Sequence, residues 1–307
     1  MTKVFIDGSA GTTGLRIVDR LSRRPDLELV LLPEELRKDP AARADALSSS
    51  EIAFLCLPDD AAKESAQLAQ GMPVKIIDTS TAHRTDPQWV YGMPELAGFR
   101  ERILKSSRIA NPGCHASGFI ALVAPLVQQG LLKKDAYLSC FSLTGYSGGG
   151  KKMIAQYEDE NRPALYGAPR QYALGQSHKH LKEMGVICGL ENPPIFCPIV
   201  ADFYSGMEVT VPLFAKDIAG TFEDVCQLYK TYYTSGLIHF DEAADPDSML
   251  SAAAYSGKDD MGVSVFGNDD RIILTARFDN LGKGASGAAI QNMNLLLGLP
   301  EDTGLTV

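Results

Sequence analysis

The chain predicts an α/β protein in which a doubly wound parallel sheet is followed by a second, α+β domain containing a mixed sheet. Three observations carry that prediction. A short apolar run, Lys3 to Ile6, enters the glycine turn Gly8-Ser-Ala-Gly11-Thr-Thr-Gly14, and Leu15, Val18 and Leu21 leave it with helical spacing. Strand-like and helix-like segments then alternate, as parallel strands joined by crossover helices require. Beyond Cys114 the pattern changes to β-rich segments separated by long connections.

Leu27 to Leu32 reads as the second strand, and Ile52 to Leu57, ending at Pro58, as the third. Ala61 to Gln70 has helical spacing and leads to a strand at Val74 to Ile77. In the second half, Tyr137 to Leu143, Val186 to Cys188, Gly206 to Phe214 and Ile272 to Phe278 read as strands, and Ala285 to Leu297 as a long closing helix. The 307 residues, about twice a usual domain length, are expected to divide into a nucleotide-binding domain at 1–113, a catalytic and oligomerisation domain at 114–284 and a C-terminal helix at 285–307 that returns to the first domain.

Composition narrows the function classes. With 29 basic and 38 acidic side chains the net charge is −9, which disfavours nucleic acid or an anionic membrane as partner and leaves a small molecule. The opening MTKVFIDGSAGTTG has no signal-peptide pattern and no apolar run spans a membrane, so a cytoplasmic protein is expected. Six cysteines form no CxxC pair, which argues for reduced thiols and against a structural metal.

Glycines at 8, 11 and 14 form a variant of the dinucleotide turn, where the backbone approaches a pyrophosphate facing a helix N-terminus; an ordinary strand-to-helix turn would look the same. No acidic residue clearly grips an NAD ribose after the second strand. Arg37 and Lys38 could instead meet a 2′-phosphate, or form a solvated charge pair. Cys114 follows a Pro-Gly turn and opens an apolar helical run, a position that lowers a thiol's pKa and offers amides to an oxyanion. The other five cysteines lie in apolar segments and read as core.

At this point the chain resembles the N-acetyl-γ-glutamyl-phosphate reductase family, and more distantly the aspartate-semialdehyde dehydrogenases. The landmarks, in order, are GSAGTTG (8–14), IDTSTAHR (77–84), ANPGCHASG (110–118), TGYSGGGKK (144–152), SHKHLKEM (177–184) and DNLGKGASGAAIQNMN (279–294). The resemblance implies a Rossmann domain, an α+β catalytic domain, NADPH as hydride donor, a homodimer or homotetramer, and reduction of an acyl phosphate through a cysteine thioester. It departs from the family at His115 and Ser117, where Phe or Tyr and Thr are usual, at Lys182-Glu183, where Pro-Glu is usual, and at Ser205-Gly206 in place of Arg-Gly.

Residue by residue, the resemblance places Gly8, Gly11, Thr12, Thr13, Gly14, Arg37, Pro58, Asn280 and Lys283 with the cofactor, and Arg84, Asn111, Ser147 and Gly148 with the substrate. Arg84 presents a planar fork suited to phosphate, or else forms a salt bridge. Of five histidines, His178 and His180 suit proton exchange near neutrality, and a helix capped by Ser177 would put Glu183 within reach of His180. Residues two apart on a helix do not share a face, so at most one of the two rings is expected at Cys114, and which one stays open. His83, His115 and His239 are secondary candidates. Three rival readings remain: an aspartate-semialdehyde dehydrogenase, a cysteine hydrolase using Cys114 with a histidine, and a noncatalytic nucleotide-binding protein.

Overall fold

The opening apolar run is β1 (Thr2–Asp7), with Val4, Phe5 and Ile6 all buried, as a strand covered on both faces requires. There follow α1 (Thr12–Leu21), β2 (Leu27–Val30), α2 (Pro40–Ser48), β3 (Ile52–Leu55), α3 (Asp59–Leu68), β4 (Lys75–Asp78), β5 (Val90–Tyr91), α4 (Phe99–Lys105) and β6 (Arg108–Ala110). The computed structural model describes residues 1–244 and 247–307. Within it these strands form a parallel sheet in the order β2-β1-β3-β4-β6-β5.

Side-chain alternation sorts the core into two layers. Val4, Ile6, Ile52, Phe54 and Ile77 pack on one side of the sheet, while Phe5, Ala53, Leu55 and Ile76 pack on the other. The chain leaves β1 for β2 on one flank and reaches β3 on the other. The strand order therefore reverses between β1 and β3, and a crevice is expected at their carboxyl ends, where the glycine turn and Pro58 stand.

The second sheet is mixed. The chain continues through α5 (Cys114–Gln128), β7 (Ser139–Gly145), α6 (Gly150–Glu158), β8 (Arg170–Gln171), α7 (His180–Cys188), β9 (Ile195–Ala201), β10 (Met207–Phe214), α8 (Phe222–Tyr232), β11 (Ile238–Phe240), β12 (Met261–Gly267) and β13 (Arg271–Phe278), and closes with α9 (Gly287–Leu296). The order is β11-β12-β13-β10-β7-β9-β8, with β10 antiparallel to β7 and β13 and β7 parallel to β9. Two compact units result: Met1–Pro112 with Ala285–Leu305, and Gly113–Gly284 with Thr306–Val307.

In the second unit α5 is buried from His115 to Val127, so it is apolar all round rather than amphipathic. Gly118 lets it lie close on β10: a Cβ there would stand 2.5 Å from a methyl of Val209. The expected strand at Val186–Cys188 is instead the last turn of α7, which ends at Gly189 with φ of 69°. A three-residue apolar run cannot be told from the end of a helix by spacing, and the stop signal is the glycine that follows.

Candidate functional site

Cys114 is the first residue of α5, and its N-cap, Gly113, supplies no capping side chain. The first amides of the helix and the positive end of its dipole are thus presented beside the sulfur. Gly113 is held at both ends. Its N–H donates to Glu183 Oε1 at 2.8 Å, and its carbonyl accepts from the Ser117 N–H at 2.8 Å and the Ser117 hydroxyl at 3.0 Å.

On the other side stands Gly284, where any Cβ would come within 2.9 Å of the Cys114 Cβ. Its turn, Gly282–Ser286, is shaped by Asp279, a fully buried carboxylate. Asp279 accepts from Ser205 Oγ (2.8 Å), Gly257 N–H (2.6 Å), Leu281 N–H (2.7 Å) and Gly282 N–H (2.9 Å). Four donors satisfy the buried charge and fix the loop next to the thiol. The sequence reading missed Asp279, because its partners come from three separate segments.

The histidines depart from expectation. Ser177 is exposed and caps nothing; the N-cap of α7 is Lys179. The ring of His178 does the capping instead, its Nδ1 accepting from the His180 N–H at 3.2 Å. Because His178 precedes the helix, the two-apart rule does not apply, and the two rings meet at 4.7 Å between centroids. His115, ranked secondary, is at the centre. Its ring lies 5.9 Å from that of His178 and 5.6 Å from that of His180, with Phe196 against it at 5.3 Å.

His115 Nδ1 meets Ser142 Oγ at 2.6 Å and Nε2 meets the Tyr172 hydroxyl at 2.7 Å. Burial, and then the neighbouring His178, hold its pKa down to about 3, so the ring is neutral. Burial likewise lowers His178, with Lys179 adding to it and Glu183 opposing. The segment carrying Tyr172 and His178 is tied to β9: the Tyr172 N–H donates to Pro198 O at 3.0 Å, and the Gln176 carboxamide pairs with both the N–H and the O of Phe196. Ala173 and Gln176 both have φ of 52°, a strained conformation for residues with side chains.

Other expected substrate and cofactor residues face inward. Asn280 accepts from the Gly206 N–H at 2.9 Å and donates to Ser147 Oγ at 3.0 Å, so Asn280 and Ser147 hold each other within the second unit; Gly148 is exposed. Lys283 is buried in its turn. In the first unit Arg84 is buried and turned onto the main chain, donating from Nε to Asn111 O at 2.9 Å and from Nη2 to Thr79 O at 3.1 Å. These contacts brace the main chain at Thr79 and Asn111. Asn111 donates to Ala285 O at 3.0 Å. His83 pairs with buried Asp78 at 2.6 Å and stacks on Trp89, while His239 is bonded to Tyr255.

At the switch point Gly8 has φ of 86° and could carry no Cβ, which would lie 2.3 Å from Cys56 O; one on Gly14 would lie 2.4 Å from Gly8 O. Gly11 caps α1 with no side-chain bond, leaving the helix amides open at the turn, and Thr13 is half-buried. The side chain of Thr12 lies outside the described residues. Pro58 is the exposed N-cap of α3. Arg37 donates to Leu32 O at 3.3 Å, and Lys38 is exposed. Among the described residues no group of three or more His, Cys, Asp or Glu is placed to hold a metal ion.

Residues 32–106 match the family described as semialdehyde dehydrogenase, NAD binding domain, and residues 114–280 match semialdehyde dehydrogenase, dimerisation domain. The chain is 45% identical to N-acetyl-gamma-glutamyl-phosphate reductase 2 of Nostoc sp., over 99% of each chain. It is 47% identical to the N-acetyl-gamma-glutamyl-phosphate reductase of Brucella ovis, over 96% of this chain and 99% of that one. Among solved structures, aspartate semialdehyde dehydrogenase II from Vibrio cholerae shares the fold with a TM-score of 0.73 at 18% identity, over 97% of this chain and 98% of the other.

Proposed function

The chain belongs to the N-acetyl-gamma-glutamyl-phosphate reductases of the semialdehyde dehydrogenase family, and from that premise we propose that it reduces N-acetyl-L-glutamyl 5-phosphate to N-acetyl-L-glutamate 5-semialdehyde and phosphate with NADPH, in arginine biosynthesis, through a thioester on Cys114. The observation that carries the chemistry is the seating of that sulfur at the uncapped start of α5, between a clamped Gly113 and a glycine that leaves no room on its other side.

In this reading the Cys114 thiolate attacks the acyl carbon, a C–S bond forms, and the C–O bond to phosphate breaks. The α5 amides stabilise the oxygen as it becomes negative. NADPH, when bound, supplies the hydride that reduces the thioester carbonyl. The hemithioacetal oxygen takes a proton from a histidine and returns it as the C–S bond breaks, releasing the aldehyde and the thiolate. His115 is neutral with both nitrogens engaged, and His178 has Nδ1 bonded to a helix amide, so we assign the proton exchange to His180.

The open amides of α1 and the turn at Gly8–Gly14 fit a dinucleotide's diphosphate, and in this reading Arg37 with Lys38 would meet the 2′-phosphate of NADPH. The outer face of the mixed sheet carries exposed Phe141, Ile195, Phe214 and Ile273. We infer that a second copy covers it, giving a homodimer in the cytoplasm; a monomer by light scattering would reject this.

The function is tested by phosphate-dependent reduction of NADP with two aldehydes. N-acetyl-L-glutamate 5-semialdehyde is expected to exceed aspartate semialdehyde by about a hundredfold or more in kcat/KM, because a site for an uncharged acetamide leaves a free ammonium without a partner. Comparable efficiencies would move the assignment to an aspartate-semialdehyde dehydrogenase.

A further inference from the structure

We propose that Asp7 and Arg43 are positioning residues for the dinucleotide, a buried ion pair that fixes the entry to the glycine turn and cancels a negative charge directly before it. The proposal rests on the reading of Gly8–Gly14 as the diphosphate site.

Asp7 is the last residue of β1, and strand alternation puts its side chain on the same side of the sheet as Phe5. That side is the apolar layer in which Ala46 and Leu47 of α2 and Ala62 of α3 pack on the strands. A carboxylate there must be compensated. Arg43, one turn before Leu47 on α2, and Ser65, one turn after Ala62 on α3, bring the donors from the same helix faces. Asp7 Oδ2 accepts from Arg43 Nε at 3.0 Å and from Ser65 Oγ at 2.7 Å. The rest of the Arg43 fork goes to α3, with Nη2 donating to Ala61 O at 3.1 Å and Nη1 to Glu64 Oε2 at 3.2 Å. Asp7 and Arg43 are 3% and 4% exposed, so neither charge is left to water.

Stability alone does not account for the pair. Apolar side chains of similar volume would serve a buried layer as well or better, because both charges give up their hydration. What the pair adds is direction: the planar fork meets Asp7, Ala61 and Glu64 together in one arrangement of β1, α2 and α3. Its target is the residue that enters the turn. Asp7 O accepts from the Cys56 N–H at 2.8 Å, and the next residue, Gly8, has φ of 86° and accepts from the Gly11 N–H at 3.1 Å. Main chain and side chain of Asp7 are thus both held, and the turn and the open amides of α1 leave from a fixed point. Arg43 has a second effect. An unpaired carboxylate beside the turn would oppose the charge of a diphosphate, and the guanidinium cancels that opposition.

NADPH affinity, measured by fluorescence titration of the full chain, tests the pair, with iodoacetamide alkylation of Cys114 as the control in the second unit. Asp7→Ala is expected to weaken binding by about tenfold. Asp7→Asn keeps an oxygen acceptor for Arg43 and Ser65 and should hold affinity within about threefold of the unsubstituted chain. Arg43→Met leaves the carboxylate unpaired and should show the largest loss, about thirtyfold or more. Adding Asp7→Asn to Arg43→Met should recover at least about threefold, a gain that a role in stability alone would not produce. Alkylation of Cys114 should be the same throughout. Affinities within about twofold of the unsubstituted chain in both Asp7→Ala and Arg43→Met, with melting curves showing retained folds, would overturn the proposal. So would Asp7→Asn binding no better than Asp7→Ala, or no recovery in the double variant. If one of Asp7→Ala and Arg43→Met does not fold, the comparison built on the other decides. If neither folds, Arg43→Lys, which keeps the charge and loses the fork, decides: a loss of about fivefold supports the pair and unchanged affinity overturns it. Failure of the underlying reading is separate, since Gly14→Ala would then bind NADPH as tightly as the unsubstituted chain.

Discussion

The glycine turn and the thiol pocket solve the same steric problem at different ranges. In the turn, Gly8 and Gly14 are demanded by backbone at Cys56 and Gly8, and the motif occupies seven consecutive residues. In the pocket, Gly284 is demanded by the Cys114 side chain, 170 positions away in a chain of 307 residues, and the adjoining His115 ring is met by β7, β9 and the segments around 172 and 180. The first can be read from a string of letters. The second exists only after the chain has folded, so its parts are individually anonymous.

The comparison can be broken most severely at the sulfur. Cys114→Ala should abolish turnover, leaving less than about a tenth of kcat and in practice far less, while NADPH binding measured by fluorescence is retained. Next come the paired glycines. Gly284→Ala should lower kcat by about a hundredfold with NADPH affinity unchanged, since a small displacement of the nucleophile is enough. Gly14→Ala should weaken NADPH binding by about tenfold or more and leave Cys114 alkylation as it was. Either variant showing both defects would mean that the two sites are not separable.

The smallest effect concerns protons and stability. His115 has a pKa of about 3 in the fold against 6.5 for the ordinary side chain. Between those values the unfolded chain binds the extra proton, so stability falls as pH falls through that window, by about 2 kcal/mol at pH 5. His115→Phe should flatten that part of the stability profile in urea titrations. An equal slope in both proteins would show that the ring is not held neutral.

How legible the molecule is in its sequence follows the same division of range. The alternation of strands and helices, the glycine turn and the helix start at Cys114 are written in neighbouring residues, and the parallel and mixed sheets follow from them. The hydrogen bonds of His115 cannot be read locally, because Ser142 and Tyr172 lie 27 and 57 positions from it. Asp279 looked like an ordinary turn residue until Ser205 and Gly257 were brought to it. Ser177 was a sound local choice of cap, displaced by an imidazole one position later. Arg84 has the chemistry of an anion fork, and nothing in its neighbouring residues announces the bonds that it also makes to the carbonyls of Thr79 and Asn111.

The burial of α5 on every side has a thermal consequence. A helix with one wet face can loosen from its ends while the rest of the molecule persists, but His115 to Val127 present no such face. Below the melting point heating should therefore leave the reactive sulfur in register, and inactivation and unfolding of the second unit should coincide as one cooperative event.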